Sequence, residues 1–171
     1  MDSWVGPTKA TLAKRSQATY LEGDASGSSG LKFEVYDVIE ADNSHAGRGL
    51  EMAVWTTLTN VSQAPVLVPP QRYWELDFEA RIEHQGRTYG ANNKLVHHRT
   101  ITLGHEQMLV LEPGESMDMR FDESGIDEPG RCFIRFNLTS LVEVRVGADA
   151  VSTAATVESK LSPEIEIQRA N

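Results

Sequence analysis

The feature that most constrains this chain is a two-residue hydrophobic period that returns run after run from Leu31 onward. Trp74, Leu76, Phe78, Ala80 and Ile82 alternate with Glu75, Asp77, Glu79 and Arg81. Successive side chains of a strand point to opposite faces, so this pattern gives one apolar and one polar face. The same reading holds for Cys132, Ile134, Phe136 and Leu138, for Met117, Met119 and Phe121, and for Val142, Val144 and Val146. Leu50, Met52, Val54 and Leu58 share a face; so do Leu31, Phe33, Val35 and Ile39, with Asp37 the exception. Shorter candidate strands are Val66 to Val68, Arg99 to Leu103, Met108 to Leu111 and Ile165 to Ile167. No amphipathic helical stripe separates the runs, so parallel crossovers have no room and the sheets are expected to be antiparallel.

Turn residues punctuate the runs. Asn60 to Pro65, His84-Gln85-Gly86-Arg87 and Glu112-Pro113-Gly114-Glu115 are each turn-forming, the last with Pro and Gly at the two central positions. Pro65, Pro69 and Pro70 bracket Val66 to Val68. Proline cannot donate to a ladder, which puts that segment on an edge or between sheets. The expected fold is all-β, an antiparallel immunoglobulin-like β-sandwich of about eight to ten strands. It spans residues 31–171, behind an extended polar N-terminal arm or linker over 1–30. Asp24 to Gly30 has a flexible-linker composition, and Thr11 to Leu21 lacks the apolar stripe of a stable helix. Such an arm is either a solvated extension or docks on the domain or on a partner.

A length of 171 residues suits one domain with a core of its own. The lone cysteine, Cys132, excludes an internal disulfide and falls on an apolar face, where a core role is expected. The net charge of −9 opposes binding to nucleic acid, whose phosphates require cations. No apolar stretch approaches the roughly 18 residues of a membrane span. The first ten residues show no secretory pattern, which reads as cytoplasmic for a complete chain and as periplasmic or extracellular where a leader has been removed.

Catalytic motifs are missing from the sequence. No Gly-x-Ser-x-Gly elbow and no glycine-rich phosphate loop occur, and Ser116 follows a turn into a strand. The expectation is no enzyme and no cofactor. His45, His84, His97, His98 and His105 lack ligand spacing; His97 and His98, being adjacent, would point to opposite faces of a strand. Asp122, Glu123, Asp127 and Glu128 surround Gly125 in an acidic loop whose oxygens could gather on Ca²⁺ or simply be solvated. Two glycosylation sequons are present, Asn60-Val61-Ser62 and Asn137-Leu138-Thr139. The binding candidates are Trp55, Tyr73 and Phe133, on the outer faces of their runs, which are either covered by other elements or exposed to a partner. Pro69, Pro70 and Arg72 join them, in a stiff connection that loses little entropy on binding.

Leu58-Thr59-Asn60, Gln71 to Ile82, Leu111-Glu112-Pro113-Gly114-Glu115-Ser116 and Gly130 to Phe136 together resemble bacterial intracellular proteinase inhibitors of the BsuPI type and related accessory domains. The resemblance implies the same immunoglobulin-like fold and, as one alternative, inhibitor activity, with no position matching a reactive site. The leading expectation is a non-catalytic protein-binding or assembly module, an accessory subunit of a larger bacterial complex. A calcium- or other ligand-binding sandwich is the second alternative.

Overall fold

The structure, a computed structural model, describes residues 8–9, 19–23, 27–40, 50–93, 103–126, 131–142, 144–146, 154–155, 157–159, 161–162 and 164–167. These residues form β1 (Thr8–Lys9), β2 (Thr19–Gly23), β3 (Gly27–Glu40), β4 (Leu50–Asn60), β5 (Val66–Val68), β6 (Trp74–His84) and β7 (Arg87–Asn93). They continue with β8 (Leu109–Leu111), β9 (Ser116–Ile126), β10 (Arg131–Ser140), β11 (Val144–Val146), β12 (Ala154–Ala155), β13 (Val157–Ser159) and β14 (Ile165–Ile167). Two single 3₁₀ turns, Gln71–Tyr73 and His105–Gln107, interrupt them, and the described residues contain no α-helix. No helix among them is long and apolar enough to cross a membrane.

The fold is all-β, and every strand pairing among the described residues is antiparallel. A ten-stranded sheet runs β7-β6-β10-β13-β2-β3-β4-β9, with β1 added on β3 and β14 on β10. The two ends of this path, β7 and β9, touch one another. A second sheet runs β12-β11-β5-β8. Part of the 1–30 segment is therefore strand: β2 lies between β3 and β13, and β3 begins at Gly27 rather than Leu31.

The alternation in β6 and β10 translates directly into burial. Trp74, Leu76, Phe78, Ala80 and Ile82 are buried, as are Cys132, Ile134, Phe136 and Leu138 on the neighbouring strand. They join Leu31, Phe33, Val35, Met52, Val54, Leu58, Met119 and Phe121 in one apolar cluster. Each fully buried aliphatic or aromatic side chain contributes roughly 1.5–3 kcal/mol to such a core. Along its far side β10 is bonded piecemeal. Its start pairs with β14, the Phe136 and Leu138 N–H groups donate to the Ser162 and Ser159 hydroxyls, and Thr139 pairs with β13.

β3 departs from simple alternation. The register with β4 slips between Val35, opposite Thr56, and Asp37, opposite Trp55. Tyr36 is the inserted residue of a β-bulge, and the inserted residue reverses the phase of everything after it. Asp37 therefore faces out with Trp55, and Val38 replaces the expected Ile39 in the core.

β5 corrects a second expectation. It is an interior strand, paired with both β11 and β8, and not an edge. Its prolines stand just outside the ladder, at 65 and 69–70, so no ladder bond is lost. Val66 and Val68 enter the main core, while Leu67 turns to a second cluster with Leu103, Met108 and Val142.

The turns follow their chemistry. Gln85 and Gly86 both have positive φ, as a two-residue hairpin between β6 and β7 requires. Gly114 has φ +85°, and the Glu115 N–H donates to the Glu112 carbonyl at 2.9 Å, closing the Pro-Gly turn. That turn is pinned to the end of β4 by Asn60. The Asn60 backbone exchanges bonds with Gly114 and Glu115; its side-chain amide donates to the Ala64 and Leu111 carbonyls and accepts from Ser62.

Candidate functional site

The cross-strand registers of β3, β4 and β9 lay out one outer face row by row. Glu34, Thr57 and Asp118 form one row, Asp37, Trp55 and Arg120 the next, and Ile39, Ala53 and Asp122 the third. Trp55 is the centre of this face. The Arg120 guanidinium lies 5.5 Å from its ring centroid, within cation–π range. Both Nε and Nη2 of Arg120 donate to the same oxygen of Asp122, at 3.2 and 3.1 Å. This pair is well exposed, so it contributes at most about 1 kcal/mol. Thr57 donates to Asp118 at 2.8 Å, and Lys32 pairs with Glu34 at 2.8 Å.

Beside the central row the bulge turns Tyr36 outward to 46% exposure. Its phenol is held above its ordinary pKa by desolvation, and secondarily by the charges of Asp118 and Asp37. Asp37, opposite Trp55 in the register, thus acts on the charge of the phenol together with Asp118. Trp55 lies on the outer face that its alternation implies, whereas Tyr36 and Arg120 were not singled out by the sequence. The anomaly of Asp37 within an apolar run was the available sign of a bulge.

The other binding candidates fall in different places. Gln71, in the 3₁₀ turn, places its side-chain amide along the outer edge of β9. Its Nε2 donates to the Arg120 carbonyl and its Oε1 accepts the Arg120 N–H. The turn bearing Arg72 is thereby joined to the strand that flanks Trp55. Pro69 itself is buried, its carbonyl accepting the Trp74 indole N–H at 2.9 Å, and Pro70 is half-buried. Tyr73 belongs to the 3₁₀ turn instead of the strand, packs on the second apolar cluster, and has Arg72 4.8 Å from its ring centroid.

Phe133 lies on a separate surface, the outer face of β6, β10 and β14. Its ring is flanked by the guanidinium groups of Arg81, at 4.3 Å, and Arg131, at 5.1 Å. Arg81 is bonded to Glu83 and to Glu164, the latter at 2.9 Å, and these bonds raise its pKa further. Arg131 donates twice to one oxygen of Glu166. An open depression of about 560 Å³ lies alongside, lined by Glu79, Arg81, Gly90, Phe133, Arg135 and Glu164. The ring and both flanking guanidinium groups are thus engaged within the chain.

The acidic run is only partly a loop. Asp122 to Ile126 belongs to β9, where Asp122 faces out opposite Ala53 and Glu123 lies opposite the buried Met52. The two carboxylates therefore leave opposite sides of the strand. Asp127 and Glu128 lie outside the described residues, as do His45, His97 and His98. Among the described residues no group of three or more His, Cys, Asp or Glu side chains is placed to hold a metal ion. Cys132 is fully buried in the main cluster. Both sequon asparagines are buried, Asn60 at 0% and Asn137 at 9% exposure, so neither amide is open to a glycan in the folded chain.

No protein-family model matches the chain, and no curated protein matches it significantly.

Proposed function

We propose that this protein is a non-catalytic binding module that holds a protein partner on the outer face of β3, β4 and β9. In this reading β6, β10 and β14 lie across the core from those strands as an immunoglobulin-like sandwich, so each group keeps one face outside. The observation that carries the proposal is the row Asp37, Trp55 and Arg120 beside the bulged Tyr36. Large rings on rigid strands, ringed by polar groups, have the make-up of an interface centre, where tryptophan, tyrosine and arginine dominate binding energy. Phe133 is the weaker candidate because two arginines of its own chain already flank its ring.

The test is affinity capture from source cells with the whole chain and with Trp55→Ala, Tyr36→Ala and Phe133→Ala, each first checked for folding. A specific partner is expected to bind Trp55→Ala and Tyr36→Ala more than about tenfold more weakly and Phe133→Ala unchanged. Full retention by Trp55→Ala would overturn the proposal.

A further inference from the structure

We propose that the end of the β6–β10 ladder holds a calcium ion, between Glu75 and Asp77 of β6 and Asn137 and Thr139 of β10. Two successive same-face pairs supply these residues, Glu75 opposite Thr139 and Asp77 opposite Asn137. They alternate with the core residues Trp74, Leu76 and Phe78 on β6 and Phe136 and Leu138 on β10, so they share the face that carries Phe133. Side chains directly opposite on such a pair stand about 5 Å apart, and those two residues further along a strand about 7 Å. β13 adds Glu158 at the register position on the other side of Thr139.

The face changes character along its length. Toward Phe133 it is open, and the next pair, Glu79 and Arg135, is exposed on both strands. At the other end Asp77 is 3%, Thr139 8% and Asn137 9% exposed, with Glu75 half-buried. Glu75, Asp77 and Asn137 each interact within the chain. The proposal turns on Thr139. Its hydroxyl is buried and has no hydrogen-bond partner among the described residues, although a carboxylate-bearing residue stands opposite it in the ladder. A buried hydroxyl in that state is costly, and a ligand that takes its lone pair removes the cost.

The donor set selects the ligand. Two carboxylates, an amide carbonyl and a hydroxyl offer oxygen alone, and two negative charges match one divalent cation. These four residues carry no thiol or imidazole for a softer metal. Calcium takes about six to eight oxygens in a flexible geometry, some of them from water, which the half-buried side at Glu75 would admit. Magnesium demands a near-ideal octahedron, which two flat ladder rows do not present. Asp122 and Glu123 differ, because they leave opposite sides of β9. The partner-binding reading shares none of these residues, so the two stand or fall separately.

The experiment is thermal unfolding of the whole chain, stripped with EDTA and then given CaCl₂ or MgCl₂ at about 1 mM, with calorimetric titration of calcium alongside. Calcium is expected to raise the melting temperature by about 4 °C or more, and magnesium by clearly less. The titration is expected to give one ion per chain. Thr139→Val keeps the shape of the side chain and removes the hydroxyl. It is expected to melt no lower than the wild type in EDTA and to bind calcium about tenfold more weakly. Asp77→Asn is expected to lose the calcium shift and Asp122→Asn to keep it whole. The absence of a calcium shift in the wild type would overturn the proposal and leave the Thr139 hydroxyl to a buried water. An equal shift with magnesium, an undiminished affinity in Thr139→Val, or loss of the shift in Asp122→Asn would overturn it as well.

Discussion

Tyr36 stands in a place that its own chemistry can report. Its folded-state pKa lies above the ordinary value of 10.0, first from desolvation and then from Asp118 and Asp37. A phenol with a raised folded pKa contributes stability that is complete below the unfolded value and is lost as pH rises through the folded one. Phenolate absorbance of the wild type minus Tyr36→Phe is therefore expected to titrate above pH 10, with Asp118→Asn moving the midpoint down. A midpoint at or below 10 would place the tyrosine away from those carboxylates. Trp55 was legible as an outer residue because β4 alternates without interruption from Met52 to Asn60. Tyr36 and Arg120 were not legible. One depends on an inserted residue, the other on a register between strands far apart in sequence.

At the scale of the strand, the bulge in β3 exchanges the roles of two neighbours. Val38 is buried and Ile39 is partly open, the reverse of what unbroken alternation from Leu31 implies. Val38→Ala is accordingly expected to cost about 2 kcal/mol in denaturant unfolding and Ile39→Ala less than about 1 kcal/mol. The opposite ranking would remove the bulge, and with it the reason for Tyr36's exposure. Strands with long, clean patterns, β6 and β10, were readable over most of their length, from Trp74 to Ile82 and from Arg131 to Leu138. β9 runs further into the acidic stretch than its composition suggests, because Asp122 and Glu123 are carried by pairing with Ala53 and Met52. Charge marks a surface but does not by itself end a strand. Gln71 escaped notice for a related reason: an edge strand needs its free N–H and C=O groups covered, and a side chain from a turn distant in sequence does so at Arg120.

In the whole molecule, the least legible element is the one that joins its parts. β2, Thr-Tyr-Leu-Glu-Gly, has too short a pattern to announce a strand, yet it lies between β3 and β13 in the large sheet. Deleting residues 1–26 is expected to lower unfolding stability by more than about 2 kcal/mol. An unchanged denaturation midpoint would return those residues to the status of a detachable arm. All-β character and antiparallel pairing were readable because burial on one face forces alternation. Strand order was not, because it is decided by partners remote in the chain. The position of β2 also bears on how the fold is reached. Leu21 finds its partner in Ser159, across most of the chain, so the large sheet has no continuous path until that late segment leaves the ribosome. Contacts of such long range slow folding and leave strand edges open in the meantime. Until then the strands on either side of β2 and β13 are held together by the shared apolar cluster and not by a continuous ladder.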